Sequence, residues 1–243
     1  MAQFGLIGKN IDYSFSRGYF SEKFKTLGLE HSYTNIDLLS DEEVGQFLRS
    51  DHGFKGMNVT IPYKAAVIPY LDALSDQAMA IGAVNTIKVE ADGSLTGHNT
   101  DHHGFLKALE PFLPLQDRSA LILGTGGASA AIAHVLANLD FRIQYVSRSE
   151  KDKALTYEQV SKYVILDHLL IVNCTPLGTY PDVDKSPAIP YKELTENHLL
   201  FDLVYNPELT TFMKNGLAYK ARVSNGYQML VHQAEKAWKI WNS

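Results

Sequence analysis

Cysteine is almost missing from this 243-residue chain, with Cys174 standing alone. An internal disulfide is therefore excluded, as is a metal site built from several thiolates. No apolar run approaches the ~18–20 residues that a membrane-spanning helix needs. The opening segment, Met1-Ala2-Gln3-Phe4-Gly5-Leu6-Ile7-Gly8, lacks the basic start and long apolar stretch of a signal peptide. Together these absences lead to the expectation of a cytoplasmic protein with no membrane partner. Basic charge is also in short supply: 22 Lys and Arg face 27 Asp and Glu, a net charge of −5. Such a chain has no global electrostatic basis for binding nucleic acid, although a local basic pocket is compatible with it. Repeats and low-complexity linkers are lacking too. What is present, 45% hydrophobic and 20% charged residues, is enough to bury a core, and the length suits one large domain or two modest ones.

Short β-rich runs alternate with helical stretches, the pattern of an α/β protein with parallel strands. Phe4 to Gly8 leads to a helix expected over 16–27 and closed by Gly28. Tyr33 to Ile36 precedes Ser40-Asp41-Glu42-Glu43, a helix start signal. Met57 to Ile61 runs into Pro62 and a further expected helix. The runs at 84–89 and 95–98 flank Asp92-Gly93 as a hairpin, and a helix follows Asp101. A new series of strands is expected at 120–124, 142–146, 169–173, 199–203 and 219–223, with one final helix after Gly226.

Gly124-Thr125-Gly126-Gly127-Ala128-Ser129 lies between an apolar strand and a helix, where a dinucleotide-binding turn belongs. Gly124 permits the tight turn, Gly126 lets backbone approach a pyrophosphate, and the helix N-terminus attracts its charge. Ser129 replaces the usual third glycine. At the end of the next strand, where an NAD-selective site would carry a carboxylate, the chain reads Ser147-Arg148-Ser149-Glu150-Lys151-Asp152-Lys153. Arg148, Ser149 and Lys151 or Lys153 can bind a 2′-phosphate, which favours NADP. Glu150 or Asp152 turned inward would favour NAD instead.

In the first half, Gly56 to Lys64 places polar groups at the C-terminal end of a strand, where open α/β sheets bind ligands. Taken singly, Lys64 reads as a surface lysine, and Asp101 or Asn85 as a helix cap or loop residue. Taken together they form an ordered set with Ser14-Phe15-Ser16, Asn99-Thr100-Asp101, the glycine loop, Asn173-Cys174-Thr175-Pro176-Leu177-Gly178 and Gly226…Met229-Leu230-Val231…Gln233. With these motifs in this order, the chain from about residue 5 to 237 resembles the shikimate dehydrogenase family.

The resemblance implies a substrate domain of residues 1–101 and 226–243, a Rossmann-like NADP domain of residues 102–225, and a cleft between them. It implies reversible reduction of 3-dehydroshikimate to shikimate with NADPH, as a step of aromatic amino-acid biosynthesis. Lys64 and Asp101 would form the catalytic pair. Ser14 and Ser16 would bind the substrate carboxylate, Thr60, Asn85 and Gln233 the ring hydroxyls, and Tyr205 would lie near the substrate. Asn58 would have a supporting role. Gly124, Gly126, Gly127, Ala128, Ser147, Arg148, Ser149 and Lys151 would hold the adenosine and phosphate part of NADP. Asn173, Thr175, Val204, Gly226 and Met229 would lie toward its nicotinamide. The chemistry agrees, because a lysine ammonium can deliver the proton that ketone reduction requires and stabilise the developing alkoxide.

Two departures stand out. His102 follows Asp101 where the family has a glycine, so the string His98…His102-His103 resembles a metal cluster. His98 is expected on the preceding strand or turn, so the helical ligand spacing does not apply and no metal is expected. The chain also stops soon after Trp241, and 151–168 is short for a full helical crossover. Two other functions fit parts of the pattern. One is a relative that also oxidises quinate or uses NAD; the other is a dinucleotide-responsive binding protein without catalysis.

Overall fold

Strand–helix alternation runs through the chain twice, and each series builds its own six-stranded sheet. The structure is a computed structural model describing residues 1–12 and 14–243. It divides into two units, Met1–His103 with Gln233–Ser243, and Gly104–His232. The expected boundary at 226 differs from this division. The last helix is shared by residue, because Met229 near its start is buried in the core of the second unit.

The first unit contains β1 (Gln3–Gly8), α1 (Phe15–Thr26), β2 (Ser32–Asp37), α2 (Asp41–Leu48), β3 (Phe54–Val59), β4 (Ala73–Leu74), α3 (Asp76–Ile81), β5 (Thr86–Val89) and β6 (Leu95–His98). Its helices start where the sequence supplies caps: the hydroxyls of Ser14, Ser40 and Ser75 accept the amides of Arg17, Glu43 and Ala78. The strand order is β2-β1-β3-β5-β6-β4. β1 pairs parallel with β2 and β3, whereas β5 runs antiparallel to both β3 and β6. Val44, Met57, Val67 and Ile87 belong to one apolar cluster, and Phe4, Phe20, Phe24 and Trp241 to another. Strand alternation sends neighbouring side chains such as Met57 and Asn58 to opposite faces of the sheet.

The helix expected after Pro62 does not form. Residues 61–67 make successive turns, followed by a short tight helix at Ile68–Tyr70. The Lys64 carbonyl accepts the Val84 amide at 2.7 Å, so it is spent on the neighbouring segment rather than on a helical ladder.

The chain then enters α4 (Asp101–Leu109), which starts in the first unit and ends in the second. The second unit contains β7 (Ser119–Leu123), α5 (Gly127–Asn138), β8 (Arg142–Ser147), β9 (Ala154–Thr156), α6 (Lys162–Leu166), β10 (Leu170–Asn173), β11 (Leu199–Asp202), α7 (Thr211–Ala218) and β12 (Arg222–Ser224), before α8 (Tyr227–Trp241). All its strands pair in parallel, in the order β12-β11-β10-β7-β8-β9. Read from the other edge, this is the strand order of a dinucleotide-binding fold. β7 and β10 are buried at every position, as a sheet covered on both faces requires. The short 151–168 stretch holds a three-residue strand and the five-residue α6 in place of a full crossover helix.

Candidate active site

In the first unit, topology brings four strand ends to one place. β1 and β3 are parallel, so their C-terminal ends coincide, and the Thr60 amide donates to the Ile7 carbonyl. β5 is antiparallel, so its N-terminal end and the preceding Asn85 lie beside the C-terminal end of β3, where Asn58 faces Thr86. β6 reverses again, bringing His98 opposite Thr86 and Asp101 just beyond it.

Here Lys64 Nζ lies 2.6 Å from Asp101 Oδ2, with both side chains largely withdrawn from solvent. Asp101 Oδ1 accepts from Asn85 Nδ2 at 2.9 Å. The same amide nitrogen donates to Thr100 Oγ1 at 3.0 Å, while Asn85 Oδ1 accepts the Thr100 amide at 2.6 Å and the Thr86 hydroxyl at 3.2 Å. The Thr100 hydroxyl in turn donates to Gln233 Oε1 at 3.3 Å. Asn58 continues the network: its Nδ2 donates to Thr86 Oγ1 and to the Asn85 carbonyl, both at 3.2 Å, and its Oδ1 accepts from the Tyr33 hydroxyl at 2.7 Å. Burial pushes the Tyr33 phenol strongly upward, and a hydrogen bond with Ser16 pulls weakly the other way.

The result is a buried polar lane whose members fix one another's orientation. An ammonium with one carboxylate oxygen beside it has two further protons to present. The second carboxylate oxygen is tied to Asn85, so Asp101 cannot rotate away from the lysine. Such a pair is suited to holding a hydroxylated ligand and exchanging a proton with it.

In the second unit, Gly124 sits at φ +105, where a side chain would be strained as well as crowded against Thr175. Gly126 is the N-cap of α5 and provides no side-chain cap. A methyl group added there would meet no protein atom within 4 Å, so the space in front of the helix start is open. Ser129 is buried and its hydroxyl donates back to the Gly126 carbonyl at 2.6 Å. Lys151 reaches over from beyond β8 to donate to Thr125 Oγ1 at 2.8 Å. Thr125, Gly126, Ser129, Tyr145 and Lys151 line a depression of about 260 Å³, and Asp152 stands on its wall beside Lys151. Uncapped amides, open space and a lysine together fit a pyrophosphate. Ser147 is buried at the end of β8, and Arg148 and Ser149 are exposed beyond it.

The family model described as the shikimate dehydrogenase substrate binding domain matches residues 6–87. A protein of Clostridium beijerinckii named shikimate dehydrogenase (NADP(+)) is 39% identical, covering 99% of this chain and 92% of its own. This chain belongs to the shikimate dehydrogenase family. A crystal structure of a shikimate dehydrogenase in complex with NADP+ superimposes with a TM-score of 0.90 at 34% identity, covering 99% of this chain and 90% of that one. A quinate dehydrogenase of Corynebacterium glutamicum in complex with NAD superimposes at 0.86 with 29% identity, covering 99% and 93%.

Against the family pattern, Lys64, Asp101, Asn85 and Gln233 fall in one hydrogen-bonded network. Ser14 is the N-cap of α1, Ser16 lies in its first turn, and Thr60 follows β3. Tyr205 lies in the second unit, half-buried after β11. Several residues expected near the nicotinamide have structural tasks as well. Asn173 is fully buried and bonded within its own unit. Gly226 allows a close approach, but to Leu203: an added Cβ would lie 2.2 Å from that carbonyl oxygen. Met229 and Val204 are both buried, the former in a core cluster with Phe105 and Phe201. His98 ends β6, whereas His102 and His103 lie in α4. Tyr33 and Thr86 also belong to the network, although no motif marks them. The local signal is Asn58, a polar residue between apolar Met57 and Val59, to which both Tyr33 and Thr86 are bonded.

Among the described residues, no helix is long and apolar enough to cross a membrane.

Proposed function

We propose that this protein is an NADP-dependent shikimate dehydrogenase that reversibly reduces 3-dehydroshikimate to shikimate, in the cytoplasm. The observation that carries the reading is the 2.6 Å Lys64–Asp101 pair locked by Asn85, in a chain of this family. NADPH, when bound, supplies the hydride. We assign it to the second unit, with its pyrophosphate on the start of α5 and its 2′-phosphate toward Arg148, Ser149 and Lys151. Gly124, Gly127, Ala128, Ser147, Thr175 and Val204 complete the assigned cofactor surface.

The substrate is assigned to the first unit. The hydroxyls of Ser14 and Ser16 face its carboxylate, and Thr60, Asn85 and Gln233 hold ring hydroxyls. As the carbonyl carbon is reduced, negative charge grows on its oxygen, and Lys64 Nζ donates a proton there. Asp101 keeps the ammonium aimed and accepts a hydrogen bond from a neighbouring ring hydroxyl. In the reverse direction the neutral amine of Lys64 removes the hydroxyl proton.

The test is absorbance of reduced nicotinamide with shikimate, supplying NADP+ and NAD+ in separate reactions. Rapid signal with NADP+ alone is expected. Signal with NAD+ alone would overturn the assignment of Arg148 and Ser149, and turnover of quinate in preference to shikimate would overturn the substrate. Silence with every combination, from folded protein that binds the cofactor, would leave a non-catalytic binder.

A further inference from the structure

The second unit buries one carboxylate that the mechanism does not use. Asp202, the last residue of β11, has no solvent exposure. Three donors from three segments converge on it. Its Oδ1 accepts from Asn173 Nδ2 at 2.9 Å, at the end of β10, and from the Val204 amide at 3.0 Å. Its Oδ2 accepts from the hydroxyl of Thr210 at 2.6 Å, the N-cap of α7. Burial lifts the carboxyl to about 6 against the opposing pull of these donors, which leaves it ionised and acceptor-only at neutral pH.

That last property has a geometric consequence. A side-chain amide has a donor end and an acceptor end, and a carboxylate beside it accepts only the donor end. Asp202 is thus the nearer of two acceptors that hold the donor end of Asn173, the other being the Leu177 carbonyl at 3.5 Å from Nδ2. With Nδ2 held, Asn173 Oδ1 faces forward, where it accepts the Thr175 amide at 3.0 Å and the Thr175 hydroxyl at 2.7 Å. Thr175 Oγ1 accepts the Leu177 amide at 3.3 Å, closing the turn. One carboxylate thus sets both the 173–177 turn after β10 and the backbone that follows β11. The glycine loop and Arg148 follow β7 and β8, on the other side of the sheet's centre. Those two turns therefore face the half of a dinucleotide away from its adenosine.

We infer that Asp202 is a positioning residue for the nicotinamide half of NADP, acting through the orientation of Asn173. The inference rests on the dehydrogenase reading given above.

Its test uses the full chain and compares wild type with Asp202→Asn, Asn173→Ala and the double variant. An asparagine at 202 can offer its own donor end to Asn173 and release the neighbouring amide to turn over. The expected result is a fall in kcat of about ten- to a hundredfold for Asp202→Asn, since small misplacements of reacting groups are costly. KM for shikimate and the Kd of adenosine 2′,5′-bisphosphate, which carries only the adenosine half, should stay unchanged. The double variant should be no slower than Asn173→Ala alone, because both changes remove one interaction.

Equal loss of fragment binding and kcat, or losses that multiply in the double variant, would overturn the proposal. So would a kcat close to wild type in Asp202→Asn. If that variant does not fold, Thr210→Val takes its place: it removes one donor from Asp202 and leaves Asn173 held. Thr210→Val should keep kcat while Asn173→Ala loses it with the fragment still bound, and the opposite pattern would overturn the proposal. Wild-type protein that binds NADP+ yet turns over no shikimate would instead sink the dehydrogenase reading.

Discussion

The two sheets solve opposite problems. In the first, polar side chains are buried inside the layer itself: Asn58 and Thr86 face each other across β3 and β5, and Asn85 and Thr100 join them from the adjoining turns and Asp101 from the start of α4. In the second, β7 and β10 are built almost wholly of buried aliphatic residues, and polar groups gather at or beyond the strand ends. On the proposed reading, the first unit would recognise its substrate with side chains that are also structural. The second offers backbone amides at the start of α5 and exposed loop residues such as Arg148. Substitutions should accordingly couple activity to stability in the first unit and separate them in the second.

The sharpest probe of that contrast is Lys64→Ala. It should lower kcat by ~10²-fold or more with a smaller effect on KM for shikimate. Steady-state kinetics retaining near-normal kcat would remove Lys64 from the chemistry. Next comes Asn85→Ala, which strips a partner from Asp101, Thr100 and Thr86 at once. Leaving such buried groups unsatisfied should cost about 2–3 kcal/mol of stability in a denaturant titration, along with activity. An unchanged midpoint would break the claim that the first unit's recognition groups hold it together.

Asp202 is the exception that sharpens the second half of the comparison. Its carboxyl is raised from the ordinary 3.8 to about 6 in the folded chain by burial. A raised value means that the stability it contributes is complete below the unfolded value and is lost as pH climbs through the folded one. Relative to Asp202→Asn, the wild type should lose on the order of 2 kcal/mol between pH 4 and pH 7. A difference between the two proteins that is flat with pH would contradict the shift.

The smallest change is expected at Arg148, whose side chain is exposed. Arg148→Ala should raise KM for NADP+ about tenfold, the equivalent of one lost charge-assisted contact. Its melting temperature and its activity with NAD+ should not fall. A stability loss here would mean that the second unit also recognises with structural side chains.

The sequence carried much of this plan because its signals were local. Serine caps, the apolar strands of the second sheet and the glycine loop each announce themselves within a few residues, and the strands expected at 120–124, 142–146 and 169–173 overlap β7, β8 and β10. The turns after Pro62 escape the local pattern because the competing bond comes from Val84, twenty positions away from Lys64. α3 and α7 are short, and the caps Ser75 and Thr210 are their main local signals. The candidate site was legible residue by residue, but its wiring was not. Nothing near Tyr33 in sequence points to Asn58, and nothing near Gly226 points to the Leu203 backbone. Those pairings exist only once strands are placed side by side.

Trp241 shows what such long-range pairing demands of the chain in time. Its indole lies against Gly56, so close that a Cβ there would stand 2.3 Å from it, and it donates to the Ile87 carbonyl at 3.0 Å. It also packs with Phe4, Phe20, Ala234 and Ala237 in a core cluster of the first unit. Residues 104–232 are made before these last ones, so the first unit cannot complete this cluster until Gln233–Ser243 has been added. Until α8 is in place, Phe4 and Phe20 lack the cover of Trp241, Ala234 and Ala237.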